Sequence, residues 1–183
     1  MSAMEGRLYT VERTPRGVRV TIPAQREWLA IAWIGACAVI WGVIEIVTAR
    51  QLLAGRDPEE GAAAFLVMWL ALWSTGGIIL FSTLAWHLVG REVITITDRS
   101  WTYRAEAFGL GRTKVYHAIA VKNLRALPYD PPPLFTQRSW PLPPVLGGGQ
   151  GPLAFDYGSR IVRFGPSLDT SQAMRLVRAL EDA

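Results

Sequence analysis

A single cysteine, two histidines and two lysines are all that this chain of 183 residues brings to several common chemistries. One cysteine, Cys37, makes neither an intrachain disulfide nor a cysteine zinc site, which leaves the redox compartment open. His87 has no histidine or cysteine within helical reach, which argues against a metal or haem ligand. No Gly-x-Ser-x-Gly elbow occurs, so nucleophilic hydrolysis lacks its usual nucleophile and base. Charged residues make up only 19% of the chain, and the net charge of +4 rests on arginines spread along it without a consecutive basic run. A nucleic-acid footprint needs clustering on one face, so no nucleic-acid partner is expected.

The remaining short motifs are equally thin. Gly109-x-Gly111 lacks the third glycine and following helix of a dinucleotide site, and Gly147-Gly148-Gly149-Gln150-Gly151 lacks the lysine and helix of a phosphate loop. Both read as turns. Asp98, Asp156 and Asp169 each sit in or beside a turn, where capping explains them better than metal coordination. Asp156 is expected in a surface ion pair with Arg160-x-x-Arg163, and His117, in a strand, reads as structural. No catalytic residue, metal or cofactor is assigned, and the chain is expected not to be an enzyme.

What is abundant is apolar and unevenly placed. Half the residues are hydrophobic and eight are tryptophan. Trp28 to Val47 carries one charge over twenty residues, the length needed to cross a hydrocarbon core. Ala62 to Val89 carries none and is long enough to tilt or emerge at the interface, with Trp69, Trp73 and Trp86 as anchors. The first block follows a long mixed-charge segment and no clean cleavage pattern ends it, so it reads as an uncleaved span and not a signal peptide. Arg7, Arg13, Arg16, Arg19 and Arg26 precede the spans and Arg91, Arg99 and Arg104 follow them. In the loop between, Arg50 and Arg56 are offset by Asp57, Glu59 and Glu60. The positive-inside rule then puts both termini in the cytoplasm.

Within the spans, Ala32, Gly35, Ala36 and Gly42, with Ser74-Thr75-Gly76-Gly77, supply small surfaces for close helix approach, either within the hairpin or against another membrane subunit. Glu45 reads as an interfacial carboxylate near the outer end of its span. A transport role for it would require oligomerisation, because two helices do not enclose a pathway.

Short strands flank and follow the spans. Leu8 to Glu12 and Val18 to Ile22 surround the turn Thr14-Pro15-Arg16-Gly17, a hairpin too small to be stable alone and therefore expected to join the later sheet. Six strands are predicted after the second span, among them Glu92 to Thr97, Trp101 to Glu106, Thr113 to His117 and Val121 to Leu127. The last two are Leu153 to Tyr157 and Arg160 to Phe164 around a type II′ turn at Gly158-Ser159. Asp169-Thr170-Ser171-Gln172 then opens an amphipathic helix with Ala173, Leu176, Val177 and Leu180 on one face. The fold class is α+β: a transmembrane helical hairpin (28–89) plus an antiparallel bent sheet or barrel closed by a C-terminal helix (90–183), with an N-terminal β-hairpin (1–27).

This order of short strands ended by one amphipathic helix resembles the bacterial pleckstrin-homology-like domains attached to membrane hairpins. More narrowly, the chain resembles an uncharacterised family of small bacterial two-span membrane proteins with such a cytoplasmic domain. The matching features are Gly17-Val18-Arg19-Val20-Thr21-Ile22-Pro23-Ala24, Trp73-Ser74-Thr75-Gly76-Gly77, Trp86 to Glu92, and Phe155-Asp156-Tyr157-Gly158 with Val162-Arg163-Phe164-Gly165. The resemblance implies a bacterial inner-membrane location and carries no activity. The hairpin ahead of the first span departs from the common pleckstrin-like pattern and leaves the strand order open.

Between Pro128 and Pro152 the sequence is too rich in proline and glycine for a regular element, and an extended strap is expected. Phe135, Trp140, Pro141 and Pro144 are its candidate protein contacts, joined by Gly76 and Gly77 in the span. Arg91, Arg99, Arg104, Arg112 and Lys114, taken as close to the exit of the second span, are candidate contacts to anionic headgroups. The expected function is that of an accessory, assembly or scaffold subunit of a membrane protein complex, acting through its spans and strand domain. An anionic-lipid-binding, membrane-organising module is the alternative, and partners are membrane lipids, an integral membrane protein or a second copy of the chain.

Overall fold

A computed structural model describes residues 3–6, 9–54, 62–129, 142–148 and 150–181. The chain divides into two compact units, residues 1–25 with 89–183, and residues 26–88.

The second unit is two helices, α1 (Trp28–Leu53) and α2 (Ala62–Val89). Neither contains proline, and both are predominantly apolar. Their 26-residue apolar stretches have mean hydropathies of 2.2 and 2.0, and most of each surface is exposed, as in a two-span membrane protein. At ~1.5 Å per residue α1 is about 39 Å long, more than a hydrocarbon core requires. It ends only where the Ala54 N–H bonds back to Arg50 O, so the helix outlasts the apolar run Trp28–Val47 by nearly two turns.

In the first unit, β1 (Ala3–Gly6), β2 (Tyr9–Thr14), β3 (Gly17–Pro23), β4 (Arg91–Ile96), β5 (Ser100–Ala107) and β6 (Leu110–His117) form one antiparallel meander in chain order. The expected pairing of the N-terminal hairpin with the later sheet is made by β3 and β4, from Val18 opposite Ile96 to Pro23 opposite Arg91. A strand at Ala3–Gly6, which the sequence pattern does not announce, extends the sheet beyond β2. At the β2–β3 turn Gly17 has φ +138°, and a Cβ there would stand 2.0 Å from Ile96 O. Only glycine lets β4 pair this closely.

A second sheet holds β7 (Val121–Ala126), β8 (Leu153–Tyr157) and β9 (Arg160–Phe164) in order. β8 and β9 join at Gly158-Ser159, with Gly158 at φ +61° as a type II′ turn requires. The helix α3 (Thr170–Glu181) packs on this sheet. Its N-terminus carries the reciprocal cap: the Gln172 N–H donates to Asp169 Oδ1 and the Asp169 N–H donates to Gln172 Oε1.

The core forms where alternation brings one face of each sheet together. Val20, Ile22 and Ile94 from the first sheet meet Leu153, Phe155 and Phe164 from the second and Leu176 from α3. Aromatic rings finish the seam, Trp101 and Tyr116 against Phe155 and Tyr103 against Phe164, at centroid distances of 5.1–6.2 Å. Each such fully buried apolar side chain contributes ~1.5–3 kcal/mol. A cavity among these rings measures about 10 Å³, no more than a single water needs, so it is no ligand pocket.

Candidate functional site

In the helical hairpin the contact is built from aromatic rings on glycines. Trp41 of α1 lies over Gly76 and Gly77 of α2, where added Cβ atoms would come within 2.8 and 3.1 Å of the indole. Trp41 stacks on Trp73 at 3.9 Å, and Trp73 on Trp69 at 5.2 Å. Gly76 and Gly77 are therefore occupied inside the hairpin. Gly35 and Gly42 of α1 are not: nothing lies within 4 Å of a Cβ built on either.

One helical turn from Trp41, Glu45 accepts a hydrogen bond from Ser74 Oγ at 2.5 Å. Its other oxygen and the indole nitrogens of Trp41 and Trp73 are buried without hydrogen-bond partners. α1 continues to Leu53, two turns beyond Glu45. The polar contact of this carboxylate is with the facing helix.

The strand unit holds two buried carboxylates, Glu92 and Glu106. Alternation along β4 places Glu92 on the same face as Ile94 and Ile96, and Glu92 is completely buried. Tyr103, two residues from Ala105, the register partner of Glu92 on β5, donates its hydroxyl to Glu92 Oε1 at 2.5 Å, and Oε2 meets no donor of hydrogen-bond geometry. Burial pushes Glu92 up to about 7, with the Tyr103 hydroxyl and the Gly165 backbone N–H pulling the other way. Burial, then the Glu92 charge, push the Tyr103 phenol upward. The sequence did carry a sign of this group, since the alternation that turns Ile94 inward turns Glu92 inward too.

The basic residues divide by position. On the outer face Arg91 and Arg104 both grip Glu106, at 2.5 and 2.6 Å. Burial would raise Glu106, but the hydrogen bond and charge of Arg91, followed by those of Arg104, hold its carboxyl below the usual range. Arg104 also donates to Gly109 O and Arg112 to Leu146 O. Lys114 is exposed on β6. Alternation puts Arg91 and Arg104 on one face of the sheet and Arg112 and Lys114, the register partners of Ala105 and Tyr103, on the other; Arg91, Arg104 and Arg112 stand near the end where β3 runs out and β4 begins, and Lys114 is level with Ile94. Arg99 is not among them. It lies beyond Ile96, at the opposite end of β4.

Asp156 also has a different partner from the one expected. It pairs with Arg125 at 2.8 Å and accepts from Asn123 Nδ2 at 2.9 Å, both on β7. These two bonds, Asn123 first, hold its carboxyl below the usual range. Neighbouring strands β7 and β8 bring them together, with Asn123 at φ +52° in a register shift of β7. Arg163 on β9 is instead bonded to Gly151 O and lies over the Tyr129 ring.

Of the strap contacts, Phe135, Trp140 and Pro141 lie outside the described residues, and Pro144 is buried in a 3-10 turn, Pro144–Leu146. No cluster of metal-binding side chains occurs among the described residues. Compared with known protein families, characterised proteins and solved structures, the chain has no match.

Proposed function

We propose that this chain is a non-enzymatic integral membrane protein, an accessory or assembly subunit of a membrane protein complex. In this reading both termini are cytoplasmic in a bacterial inner membrane, and the strand unit is a pleckstrin-homology-like module. Seven strands, β3 to β9, in two antiparallel sheets followed by one helix support the last point. Arginines concentrated outside the loop between the helices support the orientation.

The observation that carries the partner reading is the open small-residue face of α1. Ala32, Gly35 and Gly42, interleaved with the larger Val39 and Ile46, recur at helical spacing on one side of α1, while Trp41 and Glu45 turn to α2. The hairpin satisfies its own packing through Trp41 on Gly76 and Gly77 and leaves this groove unfilled. Helices associate in lipid chiefly through close van der Waals contact at such small residues.

The test is extraction of the native protein in a mild detergent, followed by sizing and mass spectrometry. A stoichiometric membrane protein that is lost with Gly35→Leu or Gly42→Leu supports the reading. Recovery of the chain alone from native membranes, in every mild detergent tried, rejects it.

A further inference from the structure

The β5–β6 turn presents two large apolar side chains to solvent among basic ones. Phe108 is 72% and Leu110 76% exposed, with only Gly109 between them. Ala107 pairs with Leu110, so the loop is two residues long, and Phe108 and Gly109 have φ of +52° and +77°. Positive φ at both positions is the type I′ arrangement, which favours Asn-Gly or Gly-Gly. An aromatic L-residue is disfavoured in that conformation and gains no packing in return here. A local outlier combined with exposed apolar surface is a reason to look for what the turn meets.

The register says where the turn points. Pro23 of β3 pairs with Arg91 of β4, Arg91 with Glu106 of β5, and Glu106 with Gly111 of β6. The Ala24 N–H bonds to Gly90 O, directly where the chain leaves for α1 and returns from α2. The turn therefore lies at the end of the sheet from which the chain departs into its two apolar helices. The β2–β3 and β4–β5 turns lie at the other end. The β5–β6 hairpin carries Arg104, Arg112 and Lys114 against one carboxylate, Glu106, already gripped by Arg91 and Arg104. Ile119, also exposed, is at the opposite end of β6, and a singly exposed apolar residue there needs no partner.

We infer that Phe108 and Leu110 are a membrane-surface anchor, seated in the interface of an anionic bilayer with Arg104, Arg112 and Lys114 against the headgroups. Aromatic and aliphatic side chains favour that boundary, and basic side chains beside them are drawn to anionic lipid. The anchor would hold the strand unit at the membrane by a third point besides its two chain connections. This goes beyond the partner reading and does not depend on it, but it rests on the two-span reading of α1 and α2.

The test uses the full chain with Cys37→Ser, reconstituted in bilayers of phosphatidylglycerol and phosphatidylcholine. An environment-sensitive thiol probe is placed singly at Phe108→Cys, Asp98→Cys or Val39→Cys, all exposed positions. The expected result is quenching from headgroup-level lipid quenchers at 108, from acyl-chain quenchers at 39 and from aqueous iodide alone at 98. Adding Arg112→Gln with Lys114→Gln should reduce lipid contact at 108 roughly fivefold per basic residue removed, and replacing phosphatidylglycerol by phosphatidylcholine should reduce it as well. Iodide access at 108 equal to that at 98 overturns the inference, as does lipid contact unaffected by lipid charge. Shielding at 108 that comes with dipolar coupling between probes of two copies also overturns it, and assigns the turn to self-association. Loss of lipid contact at 39 would remove the two-span reading itself, a separate failure from water exposure at 108 alone.

Discussion

Glu92→Gln should abolish a pH dependence of stability that the native strand unit carries between about pH 5 and pH 8. Burial raises the Glu92 carboxyl from 4.5 to about 7. Below pH 4.5 the carboxyl is protonated in both folded and unfolded chains and contributes no slope. As pH rises toward 7 the unfolded chain releases the proton while the folded chain keeps it, so folding loses stability. Above 7 both are ionised and the loss levels off. A tenfold difference in proton affinity corresponds to ~1.4 kcal/mol, which makes the total loss about 3 kcal/mol. The other shifted carboxyls do not compete in this window. Glu106, Asp156 and Asp169 are lowered, so the stability they add is lost only as pH falls below the ordinary carboxylate range.

The assay is urea unfolding of the purified full chain in detergent, followed by near-ultraviolet circular dichroism of the rings around Phe155. The urea midpoint of the native chain should fall from pH 5 to pH 8, while that of Glu92→Gln stays level. The absolute stability of the variant is a poorer guide, because its amide introduces donors where Oε2 now has no partner, at a cost of ~1–3 kcal/mol. The reasoning is refuted if the native midpoint is flat across this range, or if the slope survives in the variant.

Gly76→Leu should unseat Trp41, with ~1–3 kcal/mol of overpacking, and weaken the exciton band of the Trp41–Trp73 stack in far-ultraviolet circular dichroism. Gly35→Leu, at an open position, should leave that band unchanged. Asp169→Ala removes the side-chain half of the cap on α3 and should lower stability by about 1 kcal/mol, read as a drop in the urea midpoint of the strand unit.

Glu92 and Glu106 are opposite outcomes of one problem, a carboxylate withdrawn from water. Glu106 meets burial with two guanidinium groups and stays acidic. Glu92 has only a phenol and a backbone N–H, neither of which replaces a full counter-charge, and its proton affinity rises. The nature of the partner, more than depth, decides which of these groups keeps its charge near neutral pH.

Sequence alone determined the elements whose cause is local. Two apolar runs without proline make α1 and α2, a capping box and i, i+3, i+4 spacing make α3, and Gly158-Ser159 makes a two-residue turn. The hairpin requirement of β2 and β3 was legible for the same reason, since two strands alone do not bury enough surface to persist. Tertiary structure decided every choice among equivalent partners. It selected Arg125, from a neighbouring strand, over the nearby Arg163 for Asp156. It filled Gly76 and Gly77 with Trp41 and left Gly35 and Gly42 open. It sent Arg99 to one end of the first sheet and the Phe108 turn to the other. For the first sheet the physical reason is that β3 and β4, separated by residues 26–88, share one ladder. Periodicity states which face a residue takes, whereas the register of that long-range ladder decides which residues from distant parts of the chain stand level with one another.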